Sequence, residues 1–289
     1  MRNAILVVST AVSALCIAPV SAEESDILTD SVKQQCMQIW RTGLKSDQFW
    51  PSMHAAEALT RAGYGDEVRV ALAPKLSTIQ DAQHRCGLAR ELYRAGDETT
   101  LGILFEISAA EDEYGHGHAC ESLFKINQIG DGEQLKKHMA DGRNPIKQML
   151  AAAALARQGN QQAATFLRKS LQSEDDNVAR IAAWILAVNG AASDLPALRS
   201  RVKTIDASKH RIFFWATMAT LGDQAARLRL QEALTSEDPA IRVFAAEFCG
   251  YANISEAAST LRELLGDDDL DVQIRAAQSL WLLDPTRRS

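Results

Sequence analysis

Apolar and small residues along this chain recur at helical spacing, and no stretch sustains the alternation of a half-buried strand. Two small residues, a variable residue, a further small or apolar residue and then leucine form the unit. Its clear copies are Ala55-Ala56-Glu57-Ala58-Leu59, Ala151-Ala152-Ala153-Ala154-Leu155, Ala182-Ala183-Trp184-Ile185-Leu186 and Ala276-Ala277-Gln278-Ser279-Leu280. Weaker copies end at Leu92, Leu123, Met218 and Cys249, so end points follow one another every 31–33 residues. Self-similarity at that period means stacked units, each too small to bury its apolar face alone. The small residues let neighbouring helices approach closely and mark the second helix of each unit. Gly63, Gly96, Gly130, Gly159, Gly190 and Gly222 follow where a left-handed residue would end that helix. Amphipathic stretches at Gln161–Leu171, Ala225–Leu234 and Ser255–Leu265 supply first helices. Asp238-Pro239 and Asn144-Pro145 pair an N-cap residue with a first-turn proline. Residues 27–46 read as the first helix of the first unit. The expected fold is all-α: an α-solenoid of about eight stacked two-helix repeats.

The amino-terminal 22 residues read differently. Arg2 precedes an uncharged, mostly apolar run from Ala4 to Val20, and Val20-Ser21-Ala22 offers small residues for cleavage before Glu23. This is the pattern of a secretory signal peptide, which leaves 23–289 as one solenoid domain. The chain carries 31 Lys+Arg against 37 Asp+Glu, a net charge of −6, and loss of Arg2 takes this to −7. That balance excludes a basic nucleic-acid binder. No later run is long enough to span a bilayer, so no membrane association is expected after cleavage, and the expected location is periplasmic or secreted. Cys36, Cys86, Cys120 and Cys249 then meet an oxidising compartment, and their pairing is open. Cys249 falls at a core position of the repeat, where a buried thiol is expected.

The Ala-pair repeat resembles the HEAT family, in particular its short bacterial subtype, the phycobilisome-lyase-type HEAT-like repeat, over nearly all of 23–289. That resemblance implies the fold and leaves the activity wide, since the family includes scaffolds, partner-binding adaptors, bilin lyases and a di-iron hydroxylase. The hydroxylase carries His-Glu dyads just before the small pair. This chain has Met53-His54, Cys86-Gly87 and Gly117-His118 there, so no di-iron site is implied and no cofactor is expected.

Second helices of such solenoids line the concave side. With Ala55, Ala56, Leu59 and Ala62 facing the core, Trp50, His54, Glu57 and Arg61 share the opposite face. Repeat offsets extend each into a column. One reads Arg61, Arg94, Lys125, Arg157, then Val188 and Thr220; a second reads Glu57, Arg90, Glu121, Ala153, Trp184. A third reads His54, Gly87, His118, Leu150, Ile181, Phe213, Phe244, and the last begins Trp50, Gln83, Tyr114. The first three repeats therefore present histidines, acids, a ladder of cations and two aromatics, and later repeats present an apolar wall. His84 and His116 are placed at the groove edge. Glu57 with Arg61 and Glu121 with Lys125 also fit ordinary i,i+4 ion pairs of a solvated face.

The leading expectation is a non-catalytic binding scaffold. Its groove would hold an acidic or sulfated glycan, or an acidic segment of a partner protein, on Trp50, His54, Glu57, Arg61, His84, Arg90, Arg94, Tyr114, His116, His118, Glu121, Lys125 and Arg157. Arginine suits bidentate contact with carboxylate or sulfate. One alternative is a hydrolase or lyase using His54, Glu57, His118 and Glu121, whose His-x-x-Glu spacings could hold a metal or move protons. No dedicated motif such as HExxH supports a metal, and none is assigned. A second alternative is a protein adaptor working through the apolar wall. Trp184, Phe213 and Phe244 read first as inter-repeat packing, and Arg85, Arg211 and Arg242 as scaffold arginines.

Overall fold

The computed structural model of the chain describes residues 27–287. The expected signal segment, 1–22, lies outside the described residues. Sixteen α-helices occupy the described residues, with short 3₁₀ turns between them and no strand. They pair in chain order: α1 (Asp30–Leu44) with α2 (Phe49–Arg61), α3 (Gly65–Leu76) with α4 (Ala82–Arg94), α5 (Leu101–Ala109) with α6 (His116–Ile126) and α7 (Glu133–Ala140) with α8 (Pro145–Arg157). The pairs continue as α9 (Gln161–Ser170) with α10 (Asp176–Asn189), α11 (Leu195–Arg201) with α12 (Ser208–Thr220), α13 (Gln224–Ala233) with α14 (Pro239–Tyr251) and α15 (Ala258–Glu263) with α16 (Leu270–Leu283). No helix among the described residues is long and apolar enough to cross a membrane.

Local chemistry sets the helix ends. Asp81, Asn144, Asp175, Asp238 and Asp269 each accept a hydrogen bond from a first-turn amide of an even-numbered helix. Gly63, Gly96, Gly159 and Gly222 take positive φ after the even helices, as the periodicity predicts. Two of the six predicted glycine caps differ. Gly190 follows α10 with φ −90° and ψ 175°, and a Cβ there would lie 2.4 Å from the Leu186 carbonyl oxygen, so close approach rather than handedness favours glycine. After α6 the left-handed residue is Asn127, with Gly130 three residues later in the loop. Asn253 does the same after α14, asparagine being the L-residue that tolerates this region best.

The alanine pairs do what their size allows. Ala55, Ala56, Ala151, Ala152, Ala182, Ala183, Ala245, Ala246, Ala276 and Ala277 are all fully buried between adjoining helices. Cys36, Cys86, Cys120 and Cys249 are buried free thiols, each pushed up to about 12 by burial. Cys249 is thus the core thiol that its repeat position predicts, and none of the four is bridged.

The even helices form the inner layer, each packed on the next from α2 to α16, and α16 packs in turn on α1 and α2. The stack closes on itself as a ring. At the seam Trp40 is fully buried, its Nε1–H donates to the Ile274 carbonyl at 3.2 Å, and its ring meets Trp281 edge-on with centroids 5.2 Å apart. Gly43 lets the helices touch: a Cβ there would lie 2.6 Å from Ile274 Cδ1 and 2.9 Å from Ala55 Cβ. The concave surface expected as an open groove is therefore the interior of a closed ring.

Candidate functional site

The inner helices run parallel, so residues near their starts and residues near their ends line opposite mouths of the ring. Trp50 and Arg61 are eleven residues apart on α2, about 16 Å at the rise of an α-helix. The thirteen expected site residues consequently do not converge on one cavity. They separate into a cationic mouth, an ion-paired middle and an aromatic mouth.

Arg61, Arg94, Lys125 and Arg157 do come together, as their column predicts. With Glu57, Thr60, Tyr93, Gly96, Glu98 and Ile126 they line a cleft of about 430 Å³ at the carboxyl ends of α2, α4, α6 and α8. Cations are favoured there by the helix dipole. Two of them also donate to carbonyls at the end of α6: Arg94 Nη2 to the Lys125 carbonyl at 3.4 Å, and Arg157 Nη1 at 2.7 Å to the Phe124 carbonyl, which also accepts from the Asn127 N–H. Lys125 pairs with Glu121 at 2.7 Å and sits 5.3 Å over the Trp184 ring. No carboxylate pairs with Arg157 among the described residues; burial and the charges of Arg94 and Arg61 depress its guanidinium. It stays charged, because arginine starts far above neutral pH.

The middle of the ring is an ion network with Glu57 as its hub. Glu57 is 8% exposed. Its carboxylate meets Arg61 at 3.2 Å, Arg94 at 3.3 Å and Arg275 at 3.4 Å, and accepts from the Tyr251 hydroxyl at 3.2 Å. Burial raises the Glu57 carboxyl, but Arg94, Arg275, Arg61 and Lys125 together hold it well below the usual carboxylate range. Burial likewise raises Glu121, and Lys125 and Arg90 bring it down to about 2. Arg90 is buried and donates to the fully buried Glu91 at 2.6 Å, and Arg94 pairs with Glu91 at 3.0 Å. Arg275 also reaches Glu247 at 3.3 Å. Arg90 is thus held inside the protein, and Glu57 reaches the cleft only as a nearly buried, ion-paired part of its floor.

At the far mouth Trp50 and Tyr114 are exposed. His84 stacks on Phe49 with centroids 4.0 Å apart and lies 6.3 Å from Trp50, while Tyr114 contacts His118 at 5.8 Å and reaches Gln83 at 3.5 Å. His116, placed at a groove edge from sequence, is instead buried, with Nε2 2.8 Å from the Ala110 carbonyl. Much of the apolar wall packs within the ring: Phe213 is buried, tilted against Phe244 and edge-on to Phe248, Phe244 stacks on Phe248, and Arg180 lies 4.8 Å over Phe213, while Ile181, Trp184 and Phe244 stay half-buried.

The two His-x-x-Glu pairs do not assemble. His54 Nδ1 lies 2.7 Å from Asp271 across the seam, while Glu57 is engaged by arginines and Glu121 by Lys125. No three His, Cys, Asp or Glu side chains converge as a metal set among the described residues. Ser108 Oγ lies 3.1 Å from His138 Nε2, but that nitrogen is also 2.8 Å from the Ser108 carbonyl. A carbonyl only accepts, so Nε2 carries the proton and cannot serve as base toward the hydroxyl.

Burial lowers the imidazoles of His54, His138 and His210 from their ordinary value of 6.5. The unfolded chain therefore binds more protons than the folded one below about pH 6.5. Stability contributed by neutral histidines is full above that pH and falls as the solution is acidified. The melting temperature is expected to drop from pH 7.5 to pH 5.5, and less so in His54→Gln. A melting temperature that held or rose on acidification would contradict these neutral histidines.

Tyr251, Glu247, Asp271 and Arg275 were missed as network members, although a signal existed. Carrying the four columns on by the same offsets reaches Tyr251 below Arg61, Glu247 below Glu57, Arg275 below His54 and Asp271 below Trp50. Only closure brings these late repeats against the first.

Comparison with solved structures finds helical proteins at low identity. Human deoxyhypusine hydroxylase in complex with glycerol is 18% identical, with 88% of this chain and 98% of that chain covered and a TM-score of 0.42. Two engineered proteins from a structural genomics consortium are each 20% identical. One covers 89% of this chain and 97% of its own at a TM-score of 0.33, the other 86% and 78% at 0.30. No curated protein matches the chain. The sequence pattern of HEAT repeats matches residues 132–212 and 206–281, more than half of the chain. The eight closed helix pairs and this match lead to one conclusion: the chain belongs to the HEAT-repeat family.

Proposed function

We propose that this HEAT-repeat ring is a non-catalytic binding scaffold whose cationic mouth holds a polyanion. The ligand carries closely spaced carboxylates or sulfates, as an acidic or sulfated glycan or an acidic segment of a partner protein does. The reading rests on Arg157, a guanidinium without a carboxylate partner among the described residues, set in one cleft with Arg61, Arg94 and Lys125. Arg61 and Arg157 are also exposed at the mouth and keep N–H groups for a ligand. An anion there relieves the mutual repulsion of the cations and gains charge-assisted hydrogen bonds. With the signal-like segment at its amino terminus, the scaffold would act in the periplasm or outside the cell.

Arg157→Glu tests the site. Binding of a sulfated oligosaccharide and of a poly-glutamate peptide is measured by calorimetry, with Lys136→Glu as a surface control. Affinity for at least one ligand is expected to fall about tenfold or more in Arg157→Glu, as loss of charge-assisted bonds requires. The control should bind as the parent does. Unchanged binding in Arg157→Glu, or no binding by the parent, would retire the proposal, and the ligand that responds decides between glycan and peptide.

A further inference from the structure

A second cleft lies on the outer side of the seam, and no residue of the cationic mouth belongs to it. It measures about 620 Å³ and is lined by α1, by Tyr64 after α2 and by Trp281 of α16. This volume lies within the range of small-molecule pockets. Along α1, Lys33, Met37, Arg41 and Lys45 follow at four-residue steps, a stripe about 18 Å long.

The lining has two chemistries. Met37, Trp281 and Tyr64 supply apolar and aromatic surface, and Gln34, Gln38 and Thr42 supply neutral polar groups. Trp281 is held from behind by its edge-on contact with Trp40. Lys33, Arg41 and Lys45 supply three cations, and no acidic residue among the described residues lines the cleft, in a chain whose net charge is −6. Arg41 is fixed in place, bidentate to Glu67 at 2.8 and 2.9 Å and 5.5 Å over the Tyr64 ring. The other two are less committed. Among the described residues Lys33 reaches only the exposed Asp30, at 3.5 Å, and Lys45 forms no ion pair, acting on Glu67 only at longer range. Lysine stems add methylene surface while their ammonium groups stay mobile at the rim.

We propose that this seam cleft binds a small amphipathic anion: an aromatic or acyl body lying on Met37, Tyr64 and Trp281, with a carboxylate, sulfate or sulfonate held by Lys33 or Lys45. Charge complementarity selects the head group, and the apolar floor selects the body. The occupant touches α1 and α16 together, so it fastens the two ends of the ring. By linkage, whatever binds only the closed form stabilises it.

The probe is 8-anilinonaphthalene-1-sulfonate, whose emission rises in an apolar site, with dodecanoate as competitor. The parent protein should bind it saturably at one site, and dodecanoate should displace it and raise the melting temperature. Lys33→Glu/Lys45→Glu is expected to weaken binding about tenfold or more, the size of lost charge-assisted contacts, without changing the helical circular dichroism. If that double variant fails to fold, Tyr64→Ala provides the same test on the apolar side, with several-fold weaker binding expected. Arg157→Glu should leave probe binding unchanged, which separates this cleft from the cationic mouth. Four results would each overturn the proposal: affinity unaffected by the cleft variants, probe binding that follows Arg157 instead, displacement by neutral dodecyl maltoside equal to that by dodecanoate, or binding to phosphatidylglycerol vesicles with no binding of monomeric dodecanoate. The last would assign the surface to a membrane rather than to a free amphiphile.

Discussion

Trp40→Ala is expected to destabilise the protein by about 4 kcal/mol, the range for deleting a fully buried large aromatic. At this chain length that lowers the melting temperature by very roughly 10 °C. The indole is fully buried at the seam, and its removal also leaves the Ile274 carbonyl without its Nε1–H donor. More than stability is at stake. In a repeat stack each unit touches only its neighbours, so closure depends on the surfaces that α1 and α2 offer to α16. Loss of Trp40 should therefore open the ring before the repeats unfold, and small-angle scattering should record a larger radius of gyration at temperatures where helicity is intact. Phe214→Ala, an equally buried aromatic on α12 away from the seam, is the control: it should lower stability without expanding the folded state. Equal radii for both variants and the parent, in the face of lowered stability, would show that Trp40 contributes packing but does not hold the seam.

Glu57→Gln is expected to cost about 3 kcal/mol, at the lower end of the range for leaving buried charges without their partner. The amide keeps the shape and can still accept from Tyr251, but Arg61, Arg94 and Arg275 would then meet around a neutral group. The loss should be partly recovered by an anion from solution. Sodium sulfate is expected to raise the melting temperature of Glu57→Gln more than it raises that of the parent, and more than sodium chloride does at equal ionic strength. Equal gains in variant and parent would mean that sulfate acts by exclusion from the surface, not by replacing the missing carboxylate. Glu57→Gln should also bind polyanions more tightly than the parent, because Glu57 competes for the same arginines. Weaker binding would place Glu57 on the ligand's side of the site.

Much of the architecture was legible because it is written locally. The period of the small residues, the Asp and Asn caps and the glycines after α2, α4, α8 and α12 depend on contacts within one repeat or with the next. The cation column was legible for the same reason: Arg61, Arg94, Lys125 and Arg157 occupy one register position on successive helices, and like positions on stacked helices are neighbours. The aromatic residues were harder. Trp50 and Tyr114 share a helix face with the cations, but a face has length, and about 16 Å along the axis separates one mouth of the ring from the other. His116 was misplaced because a turn of 3₁₀ helix, Glu113–Gly115, precedes α6 and swings the imidazole inward to the Ala110 carbonyl.

By itself the sequence determined an all-helical chain of eight like pairs, the residues that cap and pack them, and a ladder of cations at the ends of the first four inner helices. Each follows from short-range periodicity, hydrogen bonding and side-chain size. Only the tertiary structure decided that the last pair returns to the first, because small rotations between repeats accumulate over the whole chain and no single repeat encodes their sum. That return set Arg275 and Tyr251 against Glu57, with Glu247 on the far side of Arg275, turned the expected groove wall into an ion-paired interior, and formed the seam cleft from α1 and α16.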